Sequence, residues 1–238
     1  MVTWETRAQT IAPGVSPGDS FVYSFDVFWS STDPNAAVPS NLLELNKTEF
    51  IRITVSEIAG AVVEMNVTRQ FNNGSETNPS QIFVNLLNGL GEGFGLIIPP
   101  NLENGSLVYP MGLNYSNSFI INEKMVKIYP FGEREVLHYH ENKTDNPDYQ
   151  YVYYDMYYDR KTGVMLEWYV EQVPYNSTDQ KISLLWKIKE FNAKSEGSEG
   201  NVPQNHQTSE PPYLNLAIIT AVVVLLVVLL TYRKRRKK

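Results

Sequence analysis

The stretch YDRKTGVMLEWYVEQ, Tyr158 to Gln172, decides how this chain folds. Val164, Leu166, Trp168 and Val170 alternate with Met165, Glu167, Tyr169 and Glu171, the period-two signature of a strand with one face buried. The turn before it, Tyr158-Asp159-Arg160-Lys161-Thr162-Gly163, reverses the chain, because Gly163 is free to take positive φ. Downstream, Gln180 to Phe191 places Ile182, Leu184, Trp186 and Ile188 on one face, so the two strands bury their Trp and aliphatic sides together. Glu167 and Glu171 then stand opposite Lys181, Lys187 and Lys189, which sets the register.

Working upstream, Tyr149 to Tyr158 is a strand, preceded by Met125 to Tyr129, the turn Pro130-Phe131-Gly132-Glu133 and Arg134 to Glu141. The last third is therefore an antiparallel meander with one dry face and one wet face. At the other end, Phe21, Tyr23, Phe25, Val27 and Trp29 share a face after Pro17-Gly18-Asp19. Ile51, Ile53 and Val55 pair across Ala59-Gly60 with Val63, Met65 and Val67 as a hairpin whose Asn66 points away from the core. Asn78 to Pro100 reads as helix or strand, with a helix crossing the sheet as one outcome, because short apolar runs fit both. The fold class expected is mainly β: a curved sheet, half-barrel or sandwich, with one C-terminal transmembrane helix.

Leu214 to Thr231 carries no charge and is almost all Ala, Ile, Val and Leu. At 1.5 Å per residue it covers most of a ~30 Å hydrocarbon layer. Tyr213 and Tyr232 flank it, and Arg233 to Lys238 supply six positive charges that keep the C-terminus in the cytoplasm. With the chain at −6 overall, residues 1–232 carry a net charge of −12. The expected layout is an extracellular domain over 1–193, a Ser, Glu, Gly and Pro-rich stalk over 194–212, a span over 213–232 and a basic tail over 233–238 that meets membrane lipid. Met1 to Thr10 has no basic start and no apolar core, so the chain reads as a mature or truncated form, or one with a misplaced start. Seven Asn-x-Ser/Thr sequons, at Asn46, Asn66, Asn73, Asn104, Asn114, Asn142 and Asn176, all precede the span and are glycosylation candidates. There is no cysteine, which excludes disulfides, thiolate metal sites and a thiol nucleophile.

His138-Tyr139-His140 has metal-like spacing, since i and i+2 on a strand share a face and Glu133 or Asp145 could add a third ligand. The same alternation puts Leu137 and Tyr139 on the core side and both imidazoles in solvent, beside the Asn142 sequon. They read as surface histidines; no catalytic residue, no metal and no cofactor is assigned. Gly89 to Gly95 lacks the Gly-Lys-Ser/Thr ending of a phosphate loop and reads as a mobile glycine-rich loop. Asp145-Asn146-Pro147-Asp148 lacks the spacing of a calcium loop. Tyr149, Tyr151, Tyr153, Asp155 and Tyr157 alternate on one face and form a flat amphipathic platform suited to a glycan or a protein partner. An acidic domain with no basic patch excludes nucleic acid.

Pro17-Gly18-Asp19-Ser20-Phe21-Val22-Tyr23 and Tyr158-Asp159-Arg160-Lys161-Thr162-Gly163-Val164-Met165-Leu166-Glu167 resemble the opening and closing signatures of uncharacterised archaeal cell-surface proteins. That resemblance implies a β-rich ectodomain on a C-terminal anchor. The second motif also resembles the Asp-x-x-Thr-Gly hairpins of curved-sheet lipoprotein carriers of the LolA and RseB kind, implying a half-barrel that cups apolar ligands, though the lipobox cysteine and a clear helical lid are missing here. The expected function is a non-enzymatic, membrane-anchored, glycosylated binding or structural module of the cell surface. A carrier or sensor of an apolar ligand and a His-dependent hydrolase are the alternatives.

Overall fold

The computed structural model describes residues 11–108, 118–144, 148–175 and 179–193. The expected stalk, span and basic tail, the sequons at Asn114 and Asn176, and residues 145–147 of the acidic loop lie outside them. Among the described residues no helix is long and apolar enough to cross a membrane.

In chain order the elements are β1 (Ser20–Ser31), α1 (Ser40–Leu45), β2 (Thr48–Ala59), β3 (Val62–Phe71), β4 (Ser80–Asn85), β5 (Leu107–Val108), β6 (Phe119–Ile120), β7 (Glu123–Tyr129), β8 (Gly132–Lys143), β9 (Tyr149–Asp159), β10 (Met165–Pro174) and β11 (Gln180–Asn192). Nine of them form one open antiparallel sheet in the order β4-β3-β2-β1-β11-β10-β9-β8-β7. This is two meanders welded where β1 pairs with β11 along its whole length, from Ser20 opposite Asn192 to Ser31 opposite Gln180. The weld is a long-range pairing, and it brings Phe25 edge-on to Trp186 at 5.2 Å.

This order leaves β4 and β7, consecutive long strands in the chain, at opposite edges, about 38 Å apart along the sheet at ~4.8 Å per strand. The connection between them has to cross a face of the sheet. Near β4, Gly93 N–H donates to the Phe83 carbonyl at 2.9 Å. Further on, Ile98 N–H donates to the Gly163 carbonyl and Met165 N–H to the Leu96 carbonyl, both at 3.0 Å. Phe119 of β6 then lies 4.5 Å from Tyr139 and stacks on Tyr158 at 6.0 Å. Leu96, Ile97, Ile98, Phe119 and Ile121 are buried in one cluster with Met65, Val67, Leu137 and Tyr158, so the crossing segment becomes part of the core.

One open reading is resolved by that segment and one expectation is corrected. Of the two readings open for 78–100, strand holds over 80–85, which is β4; among the described residues no helix crosses the sheet, and the described cover is irregular chain with the two-residue pair β5-β6. The one helix among the described residues, α1, buries Leu42 and carried no periodic signal in six residues. Nor is Gly89 to Gly95 a free loop, since Gly93 is buried and a Cβ there would sit 2.6 Å from Met65 Cε. The glycines permit close approach to β3 and β4 rather than motion.

The Asp159 turn does more than reverse the chain. Thr162 donates from both its N–H and its Oγ1 to Asp159 Oδ1, each at 2.8 Å. Gly163 has φ of 74°, and a Cβ on it would lie 2.0 Å from the Ile98 carbonyl oxygen. Glycine therefore serves the turn and the docking of the crossing segment at once. The expected faces hold from Trp168 onward: Val170, Leu184, Trp186 and Ile188 are buried, and Trp168 packs against the same cluster, 6.2 Å from Trp186; before it, a register shift between Met165 and Glu167 pairs Met165 with Tyr158 and buries it beside Val164 and Leu166, against the alternation.

Candidate binding face

The outer face of β8 to β11 carries Tyr151, Tyr153, Asp155 and Tyr157 half-buried, with Tyr169 and Glu171 beside them on β10. Glu171 is the hub. Tyr151 donates its hydroxyl to Glu171 Oε1 at 2.7 Å, Tyr169 donates to Oε2 at 2.8 Å, and Lys181 Nζ lies 2.8 Å from Oε2. Burial opposes ionisation of Glu171, but the bonds from Lys181, Tyr151 and Tyr169 outweigh it and hold the carboxyl down at about 2. Tyr153 meets Tyr169 edge to face at 6.3 Å. Towards the other end, Lys127 stands 3.4 Å above the Tyr157 ring and 3.0 Å from Glu167. Burial, then the nearby Asp155 and Glu167 charges, push the Tyr157 phenol up to about 12.

Tyr149 leaves this platform, contrary to expectation. Between Val173 and Pro174 the pairing slips, so that two residues of β9 oppose one of β10. The bulge turns Tyr149 into the core, where it is 4% exposed. Alternation predicts a face only while the ladder is regular.

A second correction concerns the histidines. Leu137 and Tyr139 are buried as expected, and His140 is exposed, but His138 is only 8% exposed. Its ring stacks on Tyr157 at 4.3 Å and 3°. Nδ1 lies 2.8 Å from Glu123 Oε1 and Nε2 lies 2.6 Å from Asp155 Oδ1. Glu123 sits directly opposite His138 on β7. Glu123, His138 and His140 each present one ligand atom, all within 4.8 Å of one another, and these are the described residues that could hold a metal. Glu133, the acid suggested by proximity in sequence, is opposite Ile128 instead. A countable signal existed for Glu123: stepping outward from the Pro130-Phe131 turn, where Tyr129 faces Gly132, brings it opposite His138.

Asn46, Asn66, Asn73, Asn104 and Asn142 are all exposed. Asn142 is the cross-strand neighbour of Tyr153, so a glycan there would stand at the border of the tyrosine face. Comparison with family models, curated proteins and solved structures finds no match to this chain.

Proposed function

We propose that this protein is a membrane-anchored, N-glycosylated module of the cell surface that binds an extracellular glycan or protein partner through the tyrosine face of β9 and β10, without catalysing a reaction. The carrying observation is that this face is aromatic, half-exposed and already wired: Tyr151 and Tyr169 are locked on Glu171, Glu171 is paired with Lys181, and Glu167 with Lys127. A partner meets ring faces held in place, which lowers the ordering cost of binding, and meets few unpaired charges. Flat aromatic faces bordered by acceptors suit the C–H faces and hydroxyls of a sugar ring. The sheet is curved in this reading, because Phe131 of the β7–β8 turn stacks on Phe191 of β11 at 5.2 Å across about 14 Å of flat sheet. The inner face, where a carrier would hold an apolar ligand, is packed by Leu96, Ile97, Ile98 and Phe119, which favours binding on the outside. The anchor rests on the uncharged 214–231 run and the basic tail.

The test uses the full chain in detergent against immobilised polysaccharides and intact cells, beside a Tyr153→Ala, Tyr169→Ala double variant that still unfolds in one cooperative thermal transition above the assay temperature. Binding by the wild type that falls at least tenfold in the variant supports the reading. Equal binding by both moves the interaction off this face. Protease added to intact cells should remove the large domain and leave a membrane fragment ending in Lys238; protection would reverse the topology.

A further inference from the structure

The geometry points to a binding site for one divalent transition-metal ion, zinc by the character of its donors, formed by Glu123, His138 and His140. It is independent of the tyrosine-face reading. His138 and His140 project from the same face of β8, their ring centroids 4.9 Å apart, and Glu123 faces His138 from β7. The three ligand atoms lie within 4.8 Å of one another. Tetrahedral coordination at ~2.1 Å asks for a separation of about 3.4 Å, a difference that side-chain rotation can close. Glu123 and His140 are exposed and free to turn, so the backbone need not move.

His138 is the preorganised member. Asp155 Oδ1 lies 2.6 Å from Nε2, and an N–H donated there orients the ring with Nδ1 towards Glu123 as the ligand atom. This is the outer carboxylate that metal-binding histidines characteristically have. Stacking on Tyr157 and burial to 8% exposure stop the ring from swinging. Without metal, Nδ1 and Glu123 Oε1 lie 2.8 Å apart, and a metal ion would sit between them. Two imidazoles with one carboxylate select zinc, copper or nickel over calcium and magnesium, which prefer all-oxygen sets. Because Glu123 and His140 both border solvent, the fourth position is left for water.

The test takes the full chain in detergent, without a histidine tag, stripped with chelator and titrated with zinc chloride in a calorimeter, the bound zinc being counted by native mass spectrometry. The expected result is one zinc per chain, weakened at least tenfold in His140→Ala and in Glu123→Gln, both exposed positions whose metal-free thermal midpoints match the wild type. Asp155→Asn, a positioning change, should keep the stoichiometry and lower the affinity about 10 to 100-fold. Calcium and magnesium chloride should give no binding heat. Absence of zinc uptake by the wild type, or uptake unchanged in both His140→Ala and Glu123→Gln, overturns the site.

Discussion

The outer face of the sheet has two halves built on the same kind of ladder but dressed differently. Over β1 to β4 it shows Ser24, Asp26, Arg52, Thr54, Glu64, Asn66 and Gln81, half-buried or exposed, in separate contacts such as Gln81 to Glu64 at 2.7 Å, Thr54 to Ser20 at 3.4 Å and Arg52 over the Phe50 ring at 5.1 Å. Over β8 to β11 it shows tyrosines, carboxylates and a buried histidine whose polar atoms are tied to one another. Beneath both halves lies one continuous core running from Val63 and Met65 to Tyr139 and Tyr158. The core and the ladder specify the fold from the inner side, so the outer side is free to carry either solubility or a recognition surface. A network of ordered long side chains where short polar ones would suffice marks the half in which side-chain geometry matters.

The contrast breaks most severely if the shared core is opened. Trp186→Ala removes a ring that packs on Tyr23, Phe25 and Trp168 and should cost about 3–5 kcal/mol, read as one cooperative loss of both halves in urea. Separate transitions for the two meanders would show that the β1–β11 weld does not join them energetically. Next in size, Tyr151→Phe and Tyr169→Phe should each lower stability by about 1 kcal/mol, and less than additively because they share Glu171. The matching changes Thr54→Ala and Gln81→Ala should stay within about 0.5 kcal/mol. Equal losses on the two sides would erase the distinction.

A smaller effect sharpens it through pH. The Glu171 carboxyl is held at about 2 in the fold, below its ordinary 4.5, so the folded form favours the ionised state. Its stabilisation is complete above about 4.5 and is lost as pH falls through about 2. Stability of the wild type relative to Glu171→Gln should therefore decline across that window; a difference that stays flat would mean the hub contributes no more than a neutral amide. Smallest of all, Asn→Gln at Asn46, Asn66, Asn73, Asn104 or Asn142 should each remove one glycan mass from protein taken from its native membrane, with stability within about 0.5 kcal/mol. No mass change at any of the five would remove glycosylation from the proposal.

Much of this was legible before any coordinates. The strands of the C-terminal meander, the buried sides of Trp168 and Trp186, the outward Asn66 and the turn at Gly163 follow from period-two alternation and turn chemistry, which are local and act residue by residue. The same local rule failed at Tyr149, because one extra residue in the ladder reverses a face and bulges leave no periodic trace. It failed at His138 for a different reason. Alternation correctly sent the ring to the outer side, but an outer side is not the same as solvent once Tyr157, Glu123 and Asp155 from two neighbouring strands close around it.

From the sequence alone came what short spacing controls: an antiparallel β chain, a glycine where φ is positive, an uncharged segment with a basic end, and exposed sequons. Only the tertiary structure decided that β1 pairs with β11, that β4 and β7 lie at opposite edges, and that the chain between them must fill the inner face. It alone joined Glu123, His138, His140 and Asp155. The physical reason is that strand partners are chosen by the burial of whole faces across large sequence separations, so each such contact depends on every pairing between it and the turn nearest in the chain.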